Sequence, residues 1–218
     1  MMKRTVGTPE FPIWLLGDSA PSNWIDKLES PLDPRHPIRH NIWTSIENEI
    51  QEKIFRELCK RIDFSSQRLY IRNAVEHAEN KPSASAREWA ESVKQEVEGF
   101  SCLVEQYRPR LILTFGAFAF EFGRRAIYKN DSHNYRHYRY WNSKSLGDEF
   151  RSRTEPSNIL RQRNMIPLLH RSIAGGYFIQ GHEQFCGQPN ANYFEFTGLH
   201  LAELIMQLFV ETDDVWIT

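Results

Sequence analysis

Three side chains with site chemistry, Asp18, Asn73 and His170, each stand within two residues of the end of a short apolar run. His170 ends the run Met165 to Leu169 and opens the polar stretch His170, Arg171, Ser172, which leads into Gly175 and Gly176. An imidazole, a guanidinium and a hydroxyl are thus offered beyond the carboxyl end of a predicted strand, where open α/β sheets hold their ligands. Asp18 stands in the turn Gly17, Asp18, Ser19, Ala20, Pro21 after the run Phe11 to Leu16. A carboxylate on such a turn can orient a water or stabilise a cation, although Asp and Ser are also ordinary turn formers and helix caps. Asn73 follows Leu69, Tyr70 and Ile71. Its amide carries a donor and an acceptor on one rigid head, which suits it to reading the edge of a pyrimidine; asparagine is equally a common turn residue.

These groups need a frame that brings strand ends together. Four apolar runs suit strands: Phe11 to Leu16, Leu69 to Ile71, Leu111 to Phe115 and Met165 to Leu169. Between them lie helical periodicities. Ile42, Ile46, Ile50, Ile54, Leu58 and Ile62 recur every four residues and predict one long amphipathic helix, with Trp43 and Phe55 completing its stripe. Further helices are predicted over 86–107, 118–127 and 193–210, and a loop over 179–192. Gly116 and Ala117 let the helix after Leu111 to Phe115 start close against its strand, the pattern of an α/β crossover. Pro31, Pro34 and Pro37 exclude a helix from the stretch that contains them.

The chain of 218 residues is 40% hydrophobic, 13% aromatic and 25% charged, a composition that folds around a real core, and its length suits a single α/β domain, 1–218. The net charge of −1 does not advertise a polyanion partner, but the balance is uneven. Residues 124–163 hold ten Lys and Arg, among them Arg136 and Arg139, against four acids, interleaved with Tyr128, Tyr135, Tyr138, Tyr140 and Trp141. Cations among aromatics suit a phosphate backbone with exposed bases; the same residues would also form a solvated insertion whose rings fold down onto the core. Cys59, Cys102 and Cys186 show no CxxC spacing, so neither a zinc ribbon nor a disulfide framework is indicated, and they read as reduced thiols. No run approaches a membrane span and no signal-peptide pattern opens the chain; a cytoplasmic monomer is expected.

The strand ends carrying, in order, Gly17 and Asp18, Asn73, Gly116 and His170 resemble the uracil-DNA glycosylase superfamily. Leu16 to Pro21 is similar to that family's first motif, which holds the hydrolytic water, and Tyr70 to Val75 to the strand whose Asn recognises the pyrimidine. Arg108 to Ala117 resembles a strand and turn of the family, and Leu168 to Ile173 its second motif, whose His contacts the base carbonyl and whose loop enters the minor groove. There are departures: Pro21 lies one place further from Gly17, and Arg171 stands where the family has Pro.

The resemblance implies a three-layer α/β/α sandwich around a four-stranded, largely parallel sheet, and a protein that excises uracil or another modified base from single- or double-stranded DNA. It further implies Asp18 and His170 as catalytic residues, and Asn73, Ser19 and Gly17 around the base. Arg171, Ser172, Arg136 and Arg139 would lie on the nucleic acid. No metal is implied, and the cysteines of the iron-sulfur branch are absent, so no cofactor is expected. Trp24 and Trp43 are the candidates for an aromatic that stacks on the base. The alternative on the same scaffold is a member that binds nucleic acid or a nucleotide without cleaving it.

Overall fold

The computed structural model describes residues 5–19, 43–128, 135–160, 163–170, 179–212 and 214–217. Its sheet has five strands: β1 (Thr5–Val6), β2 (Ile13–Gly17), β3 (Tyr70–Asn73), β4 (Leu111–Phe115) and β5 (Asn164–Leu168), in the order β1-β3-β2-β4-β5. The four expected strands are present and mutually parallel; the fifth, β1, adds an antiparallel edge on β3. A two-residue strand has no periodicity to read, which is why the sequence does not announce it.

Six α-helices are described: α1 (Thr44–Leu58), α2 (Glu91–Tyr107), α3 (Ala117–Ile127), α4 (Ser143–Thr154), α5 (Ile179–Cys186) and α6 (Tyr193–Phe209). Strands β2, β4 and β5 are buried along their whole length, as continuous apolar runs covered on both faces must be. On one face Trp14 stacks with Phe100 of α2 at 6.0 Å, and Gly123 of α3 lies close to Leu16, Thr114 and Met165. On the other, Trp43 at the start of α1 meets Phe115 of β4 at 6.4 Å, and α6 lies along α1. This is the three-layer α/β/α arrangement. Pro167 sits in β5 without disrupting the sheet because β5 is an edge strand, where a missing N–H need not break a ladder.

Three elements differ from expectation. Helix α1 stops at Cys59, which takes a left-handed conformation (φ 53°) at the helix end, so Ile62 is not on it; Ile62 instead pairs with Trp216. Residues 179–186, expected as loop, form α5. This short helix is held by packing, with Phe185 5.2 Å from Phe150 and 5.1 Å from Tyr193, and Gly147 lets α4 approach closely, since a Cβ there would lie 2.0 Å from the Phe185 carbonyl oxygen. Of the expected insertion over 124–163, residues 143–154 form α4, which packs on β5 and α5.

Candidate active site

The parallel register sets Gly17 beside Asn73, so the ends of β2 and β3 finish level. The chain beyond them is zipped together: Ala74 N–H donates to the Gly17 carbonyl at 2.8 Å and Val75 N–H to that of Asp18 at 3.3 Å. Glycine at position 17 leaves room for the Asn73 amide, since a Cβ there would stand 2.3 Å from Asn73 Oδ1 and the amide would have to turn away. Asn73 is buried at 6% exposure, and its amide makes no side-chain hydrogen bond among the described residues.

A similar contact seats His170. Gly116, between β4 and α3, has φ 92° and ψ 172°, a region open essentially to glycine alone. A Cβ there would meet His170 Cβ at 2.7 Å. The chain entering His170 is fixed by Tyr193, fully buried at the start of α6, whose hydroxyl accepts from Leu169 N–H at 2.9 Å. Burial pushes the Tyr193 phenol well above its usual pKa, so the hydroxyl stays neutral. We expect Gly116→Ala to lose about 1–3 kcal/mol from the strained backbone and to displace His170. Denaturant unfolding would measure it, and a loss under about 0.5 kcal/mol, the range of an ordinary surface change, would contradict the tight seat inferred for the imidazole.

Asp18 and His170 come together. Nε2 of His170 lies 3.9 Å from Oδ2 of Asp18, beyond a direct hydrogen bond and within ion-pair reach of a protonated imidazole. Asp18 is 8% exposed. A buried carboxylate needs a counter-charge, and it has one that sequence reasoning missed: Lys81, on the segment between β3 and α2, places Nζ 2.9 Å from Oδ1 and 3.0 Å from Oδ2. Lys81 Nζ also faces the ring of Phe118 at 5.7 Å. No spacing or motif marks Lys81; only the fold carries it across 63 positions to Asp18.

The basic and aromatic segment is engaged largely within the protein. Its centre is Glu121 of α3, with zero exposure, which accepts from Arg124 Nη1 at 2.9 Å, Arg125 Nε at 3.2 Å, Arg136 N–H at 2.9 Å and Trp141 Nε1 at 2.9 Å. Burial pulls the Arg125 guanidinium below its usual range, and the Glu121 carboxylate only partly opposes it. Arg136 lays its guanidinium 4.1 Å over Tyr140, while Arg139 is exposed. The segment then grips the chain that carries Lys81. Tyr138 Oη donates to the Pro82 carbonyl at 3.2 Å, Arg139 N–H to that of Ala84 at 3.1 Å, and Arg125 Nη2 to that of Arg87 at 2.8 Å.

The structure therefore gathers Gly17, Asp18, Asn73, Gly116 and His170 at the carboxyl ends of the parallel strands, with half-buried Ser19 directly after Asp18. Arg171, Ser172, Pro21 and Trp24 lie outside the described residues. Trp43, a candidate stacking aromatic, is a core residue instead, 2% exposed and 5.2 Å from Phe64. Among the described residues no helix is long and apolar enough to cross a membrane.

In comparisons with known proteins, the model of the Uracil DNA glycosylase superfamily matches residues 34–177. The match takes in Asn73, Gly116, Lys81 and His170 and begins after Gly17 and Asp18. No curated protein matches the chain.

Proposed function

The chain belongs to the uracil DNA glycosylase superfamily, and from that premise we propose that it hydrolyses the N-glycosidic bond of uracil or another modified base in DNA. The observation that carries this reading is the approach of Asp18 and His170 to 3.9 Å, beside the amide of Asn73 at the level end of the neighbouring strand. A base reaches such a site only after leaving the stack, and a pocket then selects it by shape and edge hydrogen bonds. Asn73 supplies the edge contact. Cleavage builds positive charge on the sugar and negative charge on the departing base. Asp18 stands beside the sugar, and the imidazole of His170 donates to the base as it leaves. Lys81, on both carboxylate oxygens, holds Asp18 in one orientation. Exposed Arg139, with Arg136, Arg171 and Ser172, would contact the phosphates.

The test is incubation with single- and double-stranded oligonucleotides containing uracil, hypoxanthine, xanthine or other modified bases, followed by assay for abasic sites. Release of one or more of these bases supports the reading. The Lys81 ion pair favours a second one: an ammonium already beside both oxygens of Asp18 occupies the place of the developing sugar cation, as suits a protein that binds a nucleotide without cleaving it. Binding to oligonucleotides with no base released from any of them would favour that second reading.

Asn73→Ala is expected to leave folding nearly intact, because the amide has no side-chain hydrogen bond to lose among the described residues. Turnover should fall about ten- to a hundred-fold, the worth of one lost hydrogen bond to a buried polar edge, and base selectivity should fall with it. Should the variant keep its activity but lose several kcal/mol in urea unfolding, Asn73 is a packing residue.

A further inference from the structure

We propose that Lys81 is a second reacting group of the site, whose primary amine condenses with the aldehyde of an abasic deoxyribose and gives the protein a lyase activity on abasic DNA. The inference rests on the reading that Asp18 faces the sugar. Base hydrolysis as described leaves Lys81 Nζ with no chemical step of its own, yet it stands 2.9 and 3.0 Å from the two oxygens of that carboxylate. A group in contact with the carboxylate facing C1′ is also within reach of C1′ once the base has gone.

The chemistry is complete with the groups present. A lysine amine attacks a carbonyl only after losing its proton, and Asp18 Oδ2, 3.0 Å away, accepts it. The nitrogen lone pair adds to C1′ of the open-chain sugar, and the oxygen takes up the proton that the adding nitrogen gives up. The carbinolamine then loses that oxygen as water, with the second proton returned by Asp18, to leave a protonated imine. A proton next passes from C2′ to the imidazole of His170, and the electron pair expels the 3′-phosphate as the C3′–O bond breaks. One water hydrolyses the imine and restores the amine.

The experiment uses the whole protein and an oligonucleotide carrying one preformed aldehydic abasic site, in the presence of cyanoborohydride, which reduces an imine to a stable amine. We expect a covalent protein–DNA complex, with the reduced sugar on Lys81 by peptide mass mapping and no complex on a tetrahydrofuran analogue that lacks the aldehyde. Lys81→Ala and Lys81→Arg should each cut trapping by about tenfold or more, because neither offers a primary amine. Lys81→Arg keeps the cation beside Asp18, and its thermal unfolding shows whether the fold is retained; mapping on the unaltered protein does not depend on either variant. Absence of a complex, an adduct on another amine, or trapping that survives both substitutions would overturn the inference. Base release without trapping would overturn it alone, whereas trapping without release of any base would leave it standing and overturn the glycosylase reading.

Discussion

Asp18→Asn and His170→Ala are each expected to lower the rate of base release by about 10²–10⁴-fold while changing DNA affinity by less than about threefold. On the proposed reading both groups act on charge that develops as the bond breaks, and would lower the barrier more than they tighten the ground state. The 3.9 Å separation of Nε2 and Oδ2 is short enough for both groups to serve the one bond that the proposal assigns them. In Asp18→Asn the Lys81 ammonium loses its counter-charge, but its side chain is 26% exposed and can turn to solvent. In His170→Ala the room beside Gly116 opens without disturbing the backbone that shapes it. Single-turnover rates and binding curves measured on the same oligonucleotide separate the two quantities. Equal losses in affinity and rate would make these residues binding groups, and unchanged rates would move the chemistry elsewhere.

The four parallel strands were legible in the sequence because each holds a short apolar run; β4 spans Leu111–Phe115, between Arg110 and Gly116, as expected. Helix α1 was overextended for a geometric reason. Steps of four residues gain roughly 40° on a helix of 3.6 residues per turn, so six residues at that spacing wind roughly 200° around the axis and cannot share one face. The buried stripe is accordingly Ile46, Ile50 and Ile54. Helix α5 was illegible because it is held by tertiary contacts of Phe185 and not by its own periodicity.

The site divides in the same way. Asp18, Asn73 and His170 could be found because strand ends can be found, and the structure then supplies their convergence. Lys81 could not, since only the fold brings it to Asp18, 63 positions away. The cations of 124–163 were visible, but their partners were not. One signal was present: Glu121 is a lone acid within Ala117 to Gly123, with Arg124 and Arg125 three and four residues on, the spacing at which helical side chains meet. An acid placed there is positioned to turn basic residues inward, and Arg125, at 6% exposure, is one that it does.

Glu121→Ala is therefore expected to cost about 3–5 kcal/mol of stability, the scale of removing one partner from a buried ion pair. Four donors converge on this carboxylate: two guanidinium groups, a backbone N–H and an indole N–H. Alanine leaves all four without their acceptor, with Arg125 still charged and still enclosed. Glu121→Gln keeps one acceptor oxygen and the packing, and should lose less. The consequence extends to the site, because the segment that Glu121 holds grips the chain carrying Lys81 through Pro82, Ala84 and Arg87. Releasing that segment should loosen the ammonium on Asp18. Trapping of an abasic site should then fall in Glu121→Gln even where the protein remains folded, although the hydrogen bonds of Glu121 go to Arg124, Arg125, Arg136 and Trp141. Urea unfolding of both variants, read beside that trapping yield, tests the two halves separately: a loss under about 1 kcal/mol in Glu121→Ala, too small for a broken buried network, would deny Glu121 its central place, and unaltered trapping in a measurably destabilised Glu121→Gln would uncouple the aromatic segment from the site.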